Sequence, residues 1–169
     1  RLAGLFHDIG KPAARKEAAD GSCTFYRHEA ISEKMTRSIM RRLKYSNAEI
    51  EKTAHLVAEH MFHYDPSWTD AAVRRFIVRV GKENIDDLFA LRKADVFGLT
   101  GTYAEPNFLV EFTARIDTLL KEDGAYSLKD LAVNGKDLMA IGIPAGKYLG
   151  LVLHDLLETV LDDPAQNTK

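Results

Sequence analysis

The residues best suited to chemistry lie at two places in the chain. His7 and Asp8 end an apolar stretch, Leu2-Ala3-Gly4-Leu5-Phe6, and Asp95 comes much later. Burying an unpaired carboxylate costs several kcal/mol, so Asp8 needs a cation, a set of strong donors or a metal ion as its partner. Imidazole and carboxylate groups together are typical ligands of divalent metals. His7, Asp8 and Asp95 therefore predict a metal site.

The position of Asp95 within its helix supports this hypothesis. Leu88, Leu91 and Asp95 recur at spacings of three and four, which places all three on one helical face and turns Asp95 toward the core. A lone inward aspartate is more often a helix cap or an ion-pair partner. The combination with His7 and Asp8 favours the metal site over that alternative.

Two further histidines are candidate ligands, and one histidine is a useful control. His28 opens a predicted helix, and His60 follows Val57 by three residues on an otherwise apolar face. A single histidine in either setting is more often structural. The second His-Asp pair, His154-Asp155, lies in the middle of a regular amphipathic helix without a following Gly-Lys, and we interpret it as a coincidence.

Basic residues provide candidate contacts for phosphate groups. Arg74, Arg75 and Arg79 are grouped closely enough to form a basic face, although such a group is usually just the solvated side of a helix. Near the end of the chain, Pro144 and Gly146 precede Lys147 at a predicted helix start. Free N–H groups there would hold a phosphate, but a structural turn with proline at a helix start explains the same residues.

Helical periodicity covers most of the chain and predicts an all-α fold. The predicted helices cover 1–9, 28–43, 47–61, 68–80, 84–97 and 106–121, and the last one ends near Asp162. Gly10 and Pro12 predict a C-cap that stops the first helix. In the polar segment 13–27, Asp20-Gly21-Ser22 predicts a turn and allows a short hairpin.

Two helices carry more detailed predictions. Within 28–43, the apolar residues at intervals of four predict the buried stripe; they are Ile31, Met35, Ile39 and Leu43. Ser46-Asn47 predicts the N-terminus of the next helix, with Glu49 in its first turn. The apolar face of that helix is predicted to contain Ile50, Ala54, Val57 and Met61.

Composition and turn signals limit the overall organisation. With 169 residues, 46% of them hydrophobic, the chain suffices for one buried core and a small appended lobe. A turn at Asp123-Gly124 predicts a helical domain over 1–123 and a small helical tail lobe over 124–169. The chain starts at Arg1 directly in what resembles the middle of a buried helix, so we expect a fragment whose upstream part is missing.

Charge and cysteine content restrict the environment of the protein. The net charge of −2 does not by itself imply nucleic-acid binding. The single cysteine, Cys23, excludes an internal disulfide and fits a reducing compartment. No apolar run approaches the roughly 18 residues that span a bilayer, and no signal peptide is recognisable. We expect a cytoplasmic protein without a membrane partner.

Together the motifs resemble two known families. One set of segments resembles the HD domain of metal-dependent phosphohydrolases. It consists of Phe6-His7-Asp8-Ile9-Gly10-Lys11-Pro12, His28-Glu29, Val57-Ala58-Glu59-His60-Met61 and Leu91-Arg92-Lys93-Ala94-Asp95. A second set resembles the C-terminal body of bacterial tRNA nucleotidyltransferases and poly(A) polymerases. It consists of Arg74-Arg75-Phe76-Ile77, Asn134-Gly135-Lys136-Asp137-Leu138-Met139, Gly142-Ile143-Pro144 and Leu157-Glu158-Thr159-Val160-Leu161. The resemblance covers nearly the whole chain. His-Asp alone is a weak motif, whereas the ordered set is fairly specific.

The resemblance implies a set of metal ligands. In HD hydrolases an upstream histidine, a His-Asp pair and a distant aspartate bind the metal, and the last three match His7, Asp8 and Asp95. His28 and His60 stand in the right order for a second metal. The implied ion is Mg²⁺, Mn²⁺ or Ni²⁺, bound more weakly here because no histidine precedes His7.

Three functions follow, in order of preference. The first is the RNA-binding body of a CCA-adding tRNA nucleotidyltransferase or poly(A) polymerase family protein, without the N-terminal nucleotidyl-transferring head of the intact protein. Its partner would be tRNA or another RNA, and its candidate RNA contacts are Arg74, Arg75, Arg79, Lys136 and Lys147. The second is a metal-dependent phosphohydrolase, a phosphatase or 2′,3′-cyclic phosphodiesterase, with Lys11 or His28 steadying the phosphate. The third is a structural domain with a degenerate site.

Overall fold

The protein is helical almost throughout. The structure, a computed structural model, describes residues 1–102, 106–122 and 124–169. Its helices are α1 (Leu2–Phe6), α2 (Lys11–Ala14), α3 (His28–Arg42), α4 (Asn47–Glu59), α5 (Asp70–Val80), α6 (Ile85–Thr100), α7 (Asn107–Lys121), α8 (Gly135–Ala140) and α9 (Lys147–Asp162). Short 3-10 turns cover Lys82–Asn84 and Pro164–Gln166. The predicted all-α class is confirmed.

The hairpin allowed by the sequence is present as a short two-stranded sheet. β1 (Lys16–Glu17) pairs antiparallel with β2 (Cys23–Thr24), and Lys16 lies opposite Thr24. The turn between the strands contains Gly21 at φ 81°, a left-handed conformation that glycine adopts without steric cost. The Asp20 carboxylate accepts hydrogen bonds from the Ser22 N–H and hydroxyl. Local turn chemistry therefore accounts for the hairpin.

The chain divides into two compact units, each built from two stretches of sequence. The first unit contains Arg1–His63 and Lys82–Pro106, and the second contains Tyr64–Gly81 and Asn107–Lys169. The sequence predicted one boundary, between 1–123 and 124–169, and that division into domains stays a prediction. Its turn signal includes Asp123, which lies outside the described residues.

In the first unit, the buried face of α3 is not the one predicted from its apolar residues. The face that is buried carries His28, Ser32, Thr36 and Met40. Met35 is 38% exposed and Leu43 is 55% exposed, so the predicted stripe was wrong. Ser32 and Thr36 are small, and the Thr36 hydroxyl donates to the Ser32 carbonyl at 2.7 Å. Their polar groups are satisfied within the helix and next to it, which allows this face to be buried.

Gly10 fits tightly against the start of α3. The predicted C-cap at Gly10 was wrong, because α1 ends with His7 as its C-cap and Gly10, at φ −82° and ψ −12°, is the N-cap of α2. Gly10 instead precedes α2, whose first turn contains Pro12. A Cβ atom at Gly10 would lie 2.6 Å from the His28 carbonyl oxygen and 2.7 Å from the Ser32 amide nitrogen. Close approach of two backbones therefore requires the glycine, and it holds the His7-Asp8 segment near α3.

Local sequence signals predicted the start of α4 correctly but not the end of α6. Ser46 caps α4 as predicted: its hydroxyl accepts from the Glu49 N–H, and the Glu49 carboxylate accepts from the Ser46 N–H at 2.9 Å. The helix α6 was predicted to end near Phe97, but it continues through Gly98 to Thr100, and Gly101 at φ 68° is its C-cap. Asp95 therefore lies within a continuous helix, a full turn before its end.

The second unit has an aromatic and aliphatic core. The ring of Phe112 on α7 stacks on Tyr64, with centroids 4.1 Å apart, and contacts Phe76 on α5 at 4.8 Å. A further cluster joins the tail to this unit and consists of Ala125, Leu157, Val160 and Leu161. The helix α8 begins with a capping box between Asn134 and Asp137. In the described residues, no helix is both long and apolar enough to cross a membrane.

Candidate metal centre

The turn between α1 and α2 presents His7 and Asp8 to α6. The imidazole Nε2 of His7 lies 3.4 Å from Asp8 Oδ2 and 3.4 Å from Asp95 Oδ1. On α6, Leu88 and Leu91 are buried and Asp95 is partly buried, as the spacing of these residues predicts. The three residues that first suggested a metal site are therefore brought together in the first unit.

A second group of potential ligands shares Asp8 with the first. The Nε2 of His28 lies 3.1 Å from Asp8 Oδ1, and the Nε2 of His60 lies 3.7 Å from the same oxygen. Both rings are almost fully buried, with 5% of His28 and 3% of His60 exposed. Asp8 therefore belongs to two groups of three residues. Within each group, the potential ligand atoms all lie within 4.8 Å of one another.

The three imidazoles are held in the same way. In each, Nδ1 lies within hydrogen-bonding distance of the carbonyl oxygen three residues earlier. The acceptors are Gly4 at 2.9 Å for His7, Phe25 at 2.9 Å for His28 and Val57 at 2.7 Å for His60. A proton on Nδ1 leaves the Nε2 lone pair free, and this hydrogen bond to a backbone carbonyl is a common support for metal-bound histidine. All three Nε2 atoms point into the cluster.

Two of these lone pairs face each other. The Nε2 atoms of His28 and His60 are 3.2 Å apart, and with Nδ1 protonated in both rings neither Nε2 has a proton to donate. Burial lowers the pKa of His60, and the neighbouring His7 and His28 lower it further, which disfavours a charged ring. A cation between the two nitrogens would relieve the repulsion.

The distances within the cluster fit a bound ion. Metal bonds of about 2.0–2.2 Å place neighbouring ligand atoms roughly 3.0–3.5 Å apart. The separations among Asp8, His28 and His60 run from 3.1 to 3.7 Å. Asp8, as the shared member, would serve as a ligand in either group. The donor set of imidazoles and carboxylates suits a divalent transition metal.

Asp8 is ionised and already has one cationic partner. Burial raises the pKa of its carboxyl group, but the hydrogen bond and the charge of Lys11, together with the neighbouring imidazoles of His7 and His28, outweigh burial and lower the pKa overall. The Lys11 ammonium lies 2.6 Å from Asp8 Oδ2. The need of Asp8 for a partner is therefore met in part by Lys11, while its other oxygen faces His28 and His60.

Comparison with known proteins identifies the family of the chain. The family model described as tRNA nucleotidyltransferase domain 2 matches residues 23–169. The chain belongs to the bacterial tRNA nucleotidyltransferase family. The resemblance inferred from the Asn134–Met139 and Arg74–Ile77 motifs is thereby confirmed. The HD assignment of the His-Asp cluster stays a prediction.

Two curated relatives define how much of the family's length the chain spans. It is 31% identical over 161 residues to the A-adding tRNA nucleotidyltransferase of Deinococcus radiodurans and 31% identical over 160 residues to the CC-adding tRNA nucleotidyltransferase of Thermus thermophilus. Each alignment covers 94% of this chain but only 36% and 35% of the relatives. The chain thus spans about a third of their length. No solved structure matches.

Two arginines of this tRNA nucleotidyltransferase family chain do not occupy the open basic face that the sequence suggested. Arg74 is only 8% exposed, and its guanidinium donates to the Leu161 carbonyl at 3.3 Å and to Glu122 at 3.4 Å. Arg75 donates to Glu158 at 2.7 Å and to Asp162 at 2.8 Å. Arg74 from a buried position and Arg75 from a half-exposed one join elements of the second unit, and their contact with RNA stays a prediction.

The remaining candidate RNA contacts are exposed. Arg79 on α5, Lys136 on α8 and Lys147 on α9 all face solvent. Arg79 also stacks over the Phe76 ring, 5.5 Å from its centroid. Lys147 is the first residue of α9, directly after Gly146 at φ 137°, as the predicted helix start requires. Their contact with phosphate stays a prediction.

The control pair lies outside the cluster, whereas one further residue, Arg92, lies next to it. His154 and Asp155 are exposed on α9, and neither belongs to the metal-type groups found in the described residues. The sequence indicated Arg92 only as part of the Leu91–Asp95 motif, whereas the structure places it next to the cluster. It lies three residues before Asp95, with a nitrogen 3.4 Å from Asp95 Oδ2. That spacing was the available signal for Arg92 as a neighbour of the cluster.

Proposed function

We propose that this chain is the tRNA-binding body of an enzyme that adds nucleotides to tRNA. The observation that carries the proposal is the family match over residues 23–169. The two relatives are named for adding A and CC to tRNA, and they align with nearly the whole chain. In the intact protein an N-terminal head would perform nucleotidyl transfer, and this body would hold the RNA.

Solvent exposure favours three of the five candidate RNA contacts. Three exposed cations of the second unit are suited to contact phosphates, namely Arg79, Lys136 and Lys147. Arg74 is buried, and Arg75, although half-exposed, is already paired with Glu158 and Asp162 of the same unit. Phosphate contacts release counterions, so each one contributes to the salt dependence of binding.

Titration of this chain with tRNA over a series of salt concentrations tests the proposal. Changing Arg79, Lys136 and Lys147 together to Gln is expected to weaken binding and to reduce the log–log salt slope by about 0.7–0.9 per lost contact. A charge-matched control changes Lys16, Lys34 and Lys121 to Gln, all of which are exposed. Equal slopes for the two triple variants, or equal affinity for tRNA and polyuridylate, would overturn the proposal.

A second function is favoured by a separate observation, the convergence of three anchored histidines on Asp8. We propose a metal-dependent phosphohydrolase site of the HD type in the first unit, where His7, Asp8 and Asp95 hold one divalent ion and His28 and His60 share Asp8 in a second group. A bound ion would polarise a phosphoryl oxygen and make a water molecule acidic enough to serve as nucleophile. Lys11, already at Asp8, would stabilise the negative charge of the phosphate.

Calorimetric titration with Mn²⁺ and Ni²⁺ tests this second proposal without relying on activity. Asp95→Ala is expected to abolish binding at the His7 group, whereas Asp155→Ala should match the unchanged chain, because Asp155 lies outside the cluster. Phosphatase and 2′,3′-cyclic phosphodiesterase assays follow in the presence of the metal that binds. Absence of metal binding in the unchanged chain would favour a degenerate site in which Lys11 alone satisfies Asp8.

A further inference from the structure

A cleft in the second unit lies between one face of α5 and one face of α9. Residues at spacings of four and three share a helical face, and each helix lines the cleft with such a set. On α5 the set is Ala72, Phe76 and Arg79. On α9 it is His154, Glu158 and Leu161. The volume of the cleft is about 570 Å³, within the ~300–1,000 Å³ of typical ligand pockets.

Trp68 is held at this cleft by contacts of its backbone and ring. Its N–H donates to the Asp65 carbonyl at 2.9 Å, and its carbonyl accepts from the Arg115 guanidinium. The indole makes edge contacts with Tyr64 and Phe112, at interplanar angles of 76° and 88°. The ring is therefore fixed in position, and no ring of the described residues stacks parallel to it.

The lining combines apolar surface with polar groups that a ligand can reach. Phe76 and Leu161 are buried, with 2% and 0% of their surfaces exposed. The indole N–H of Trp68 makes no hydrogen bond with a described residue and keeps contact with solvent. Arg79 and His154 are exposed. A ligand with a flat ring, a hydrogen-bond acceptor on the edge of that ring and a negative charge would match this lining.

We propose that the cleft receives one unpaired nucleobase of a bound RNA, stacked on Trp68, with an adjoining phosphate at Arg79. The proposal rests on the RNA-binding function proposed above and adds a contact with a base to contacts with phosphates. Glu158 is already paired with Arg75 at 2.7 Å, so its charge is balanced beside the phosphate. A base inside a duplex is stacked and paired and does not reach such a pocket, so the cleft favours unpaired RNA.

Two neighbouring alanines of α5 provide a matched test. Ala71 and Ala72 are both half-buried, but only Ala72 lines the cleft. The unchanged chain is expected to bind a short single-stranded oligoadenylate about 10-fold more tightly than an abasic strand of the same length and charge, because stacking adds to the phosphate contacts. Ala72→Met fills the cleft and should bring the ratio close to one, whereas Ala71→Met should preserve it. An unchanged ratio in Ala72→Met would overturn the proposal.

Trp68 also reports directly on the cleft, because it is the only tryptophan of the chain. Oligoadenylate should quench its fluorescence, and the abasic strand or an oligoadenylate–oligouridylate duplex should not. Trp68→Phe retains a ring and should keep a preference for the base, which Trp68→Leu should lose; urea unfolding verifies that both variants are folded. Tight binding of oligoadenylate without quenching would contradict the stacking on Trp68.

Salt dependence separates the base contact from the RNA-binding function. Only phosphate contacts release counterions, so Ala72→Met should weaken oligoadenylate binding without altering its log–log salt slope. If the joint change of Arg79, Lys136 and Lys147 to Gln lowers the slope but Ala72→Met leaves the ratio of the two strands unaltered, RNA binding stands and the base contact is wrong. If the chain binds neither tRNA nor either strand, the RNA-binding function is wrong and the base contact fails with it.

Discussion

The two units of the chain bury polar groups in opposite ways. In the first, His28 and His60 are buried with Nε2 lone pairs directed at each other and at Asp8. In the second, the buried charged residue Arg74 is directed at a carbonyl and a carboxylate, so that its donors are matched by acceptors. A buried group with a matched partner stabilises a fold, whereas converging unmatched lone pairs prepare a site for a cation.

The two His-Asp pairs show the same contrast at the level of a dipeptide. His7-Asp8 lies in a turn that is pressed against α3 through Gly10 and faces Asp95 on α6. His154-Asp155 lies on the exposed side of α9. Identical side chains thus have different chemistry because one pair is surrounded by residues from distant parts of the chain. Substitutions in the two units should therefore differ in their effects on metal binding and on stability.

The largest effect is expected for Asp8→Asn. Asp8 belongs to both groups of ligands, so losing its charge should weaken Mn²⁺ or Ni²⁺ binding by at least about 100-fold, the upper range for losing a supporting residue of a metal site. Calorimetry measures this directly. Asp155→Asn is the matched control and should leave binding unchanged. A similar loss in both variants would mean that the measured binding is not at the cluster.

Gly10→Ala is expected to destabilise the first unit by about 1–3 kcal/mol, the usual cost of overpacking. The added Cβ would lie 2.6 Å and 2.7 Å from backbone atoms of α3, and a backbone cannot move aside as a flexible side chain does. Urea unfolding measures the change. Gly98→Ala is the control, because its Cβ meets no described atom within 4 Å; in a helix it should stabilise by roughly 1 kcal/mol.

Arg74→Met tests whether the second unit depends on its matched charges. We expect a loss of about 1.5 kcal/mol, because hydrogen bonds to the Leu161 carbonyl and Glu122 disappear while the aliphatic stem is retained. Arg75 is itself more exposed, at 41% of its side chain against 10% for Arg74, so Arg75→Met should cost no more than about 1 kcal/mol. Metal binding in the first unit should be the same in both variants. A larger effect for Arg75 than for Arg74 would contradict the assignment.

The smallest effects are expected at the helix caps, where the two units should behave alike. Ser46→Ala in the first unit and Asn134→Ala in the second should each cost about 1 kcal/mol in urea unfolding. Hydrogen bonds from the Ser46 hydroxyl and N–H lower the pKa of Glu49. The stability from this interaction is therefore present above the ordinary glutamate pKa and is lost as the pH falls through the lowered value. Ser46→Ala should reduce that acid-side dependence, because it removes the hydroxyl donor and keeps the N–H donor; an unaltered pH profile would argue against the capping box.

Several elements were predictable because their causes are local. The Ser46 cap, the Asp20-Gly21-Ser22 turn and the inward position of Asp95 each depend on residues within a few positions. The end of α6 was placed too early because Gly98 is tolerated in a helix interior, where glycine costs only about 1 kcal/mol relative to alanine. A local signal of that size does not decide where a helix ends.

The mispredicted buried face of α3 and the unforeseen partners of the basic residues have a different origin. Hydrophobicity predicted that Ile31 and Met35 would face the core, but the small polar Ser32 and Thr36 do, because they permit close packing and find partners. The partners of Arg75 lie more than eighty positions away in the sequence. No pattern near Arg74 or Arg75 could show which carboxylates or carbonyls would meet them.

By itself the sequence determined the helical class, the Ser46 cap, the grouping of His7 and Asp8 with Asp95 and the family of the chain, since these depend on residue type, short spacing and ordered motifs. Only the tertiary structure decided that Asp8 joins two groups of ligands and that each histidine is anchored through Nδ1. It also decided that Arg74 is interior. The physical reason is that lone-pair direction, matched hydrogen bonds and burial arise only where distant segments of the chain pack together.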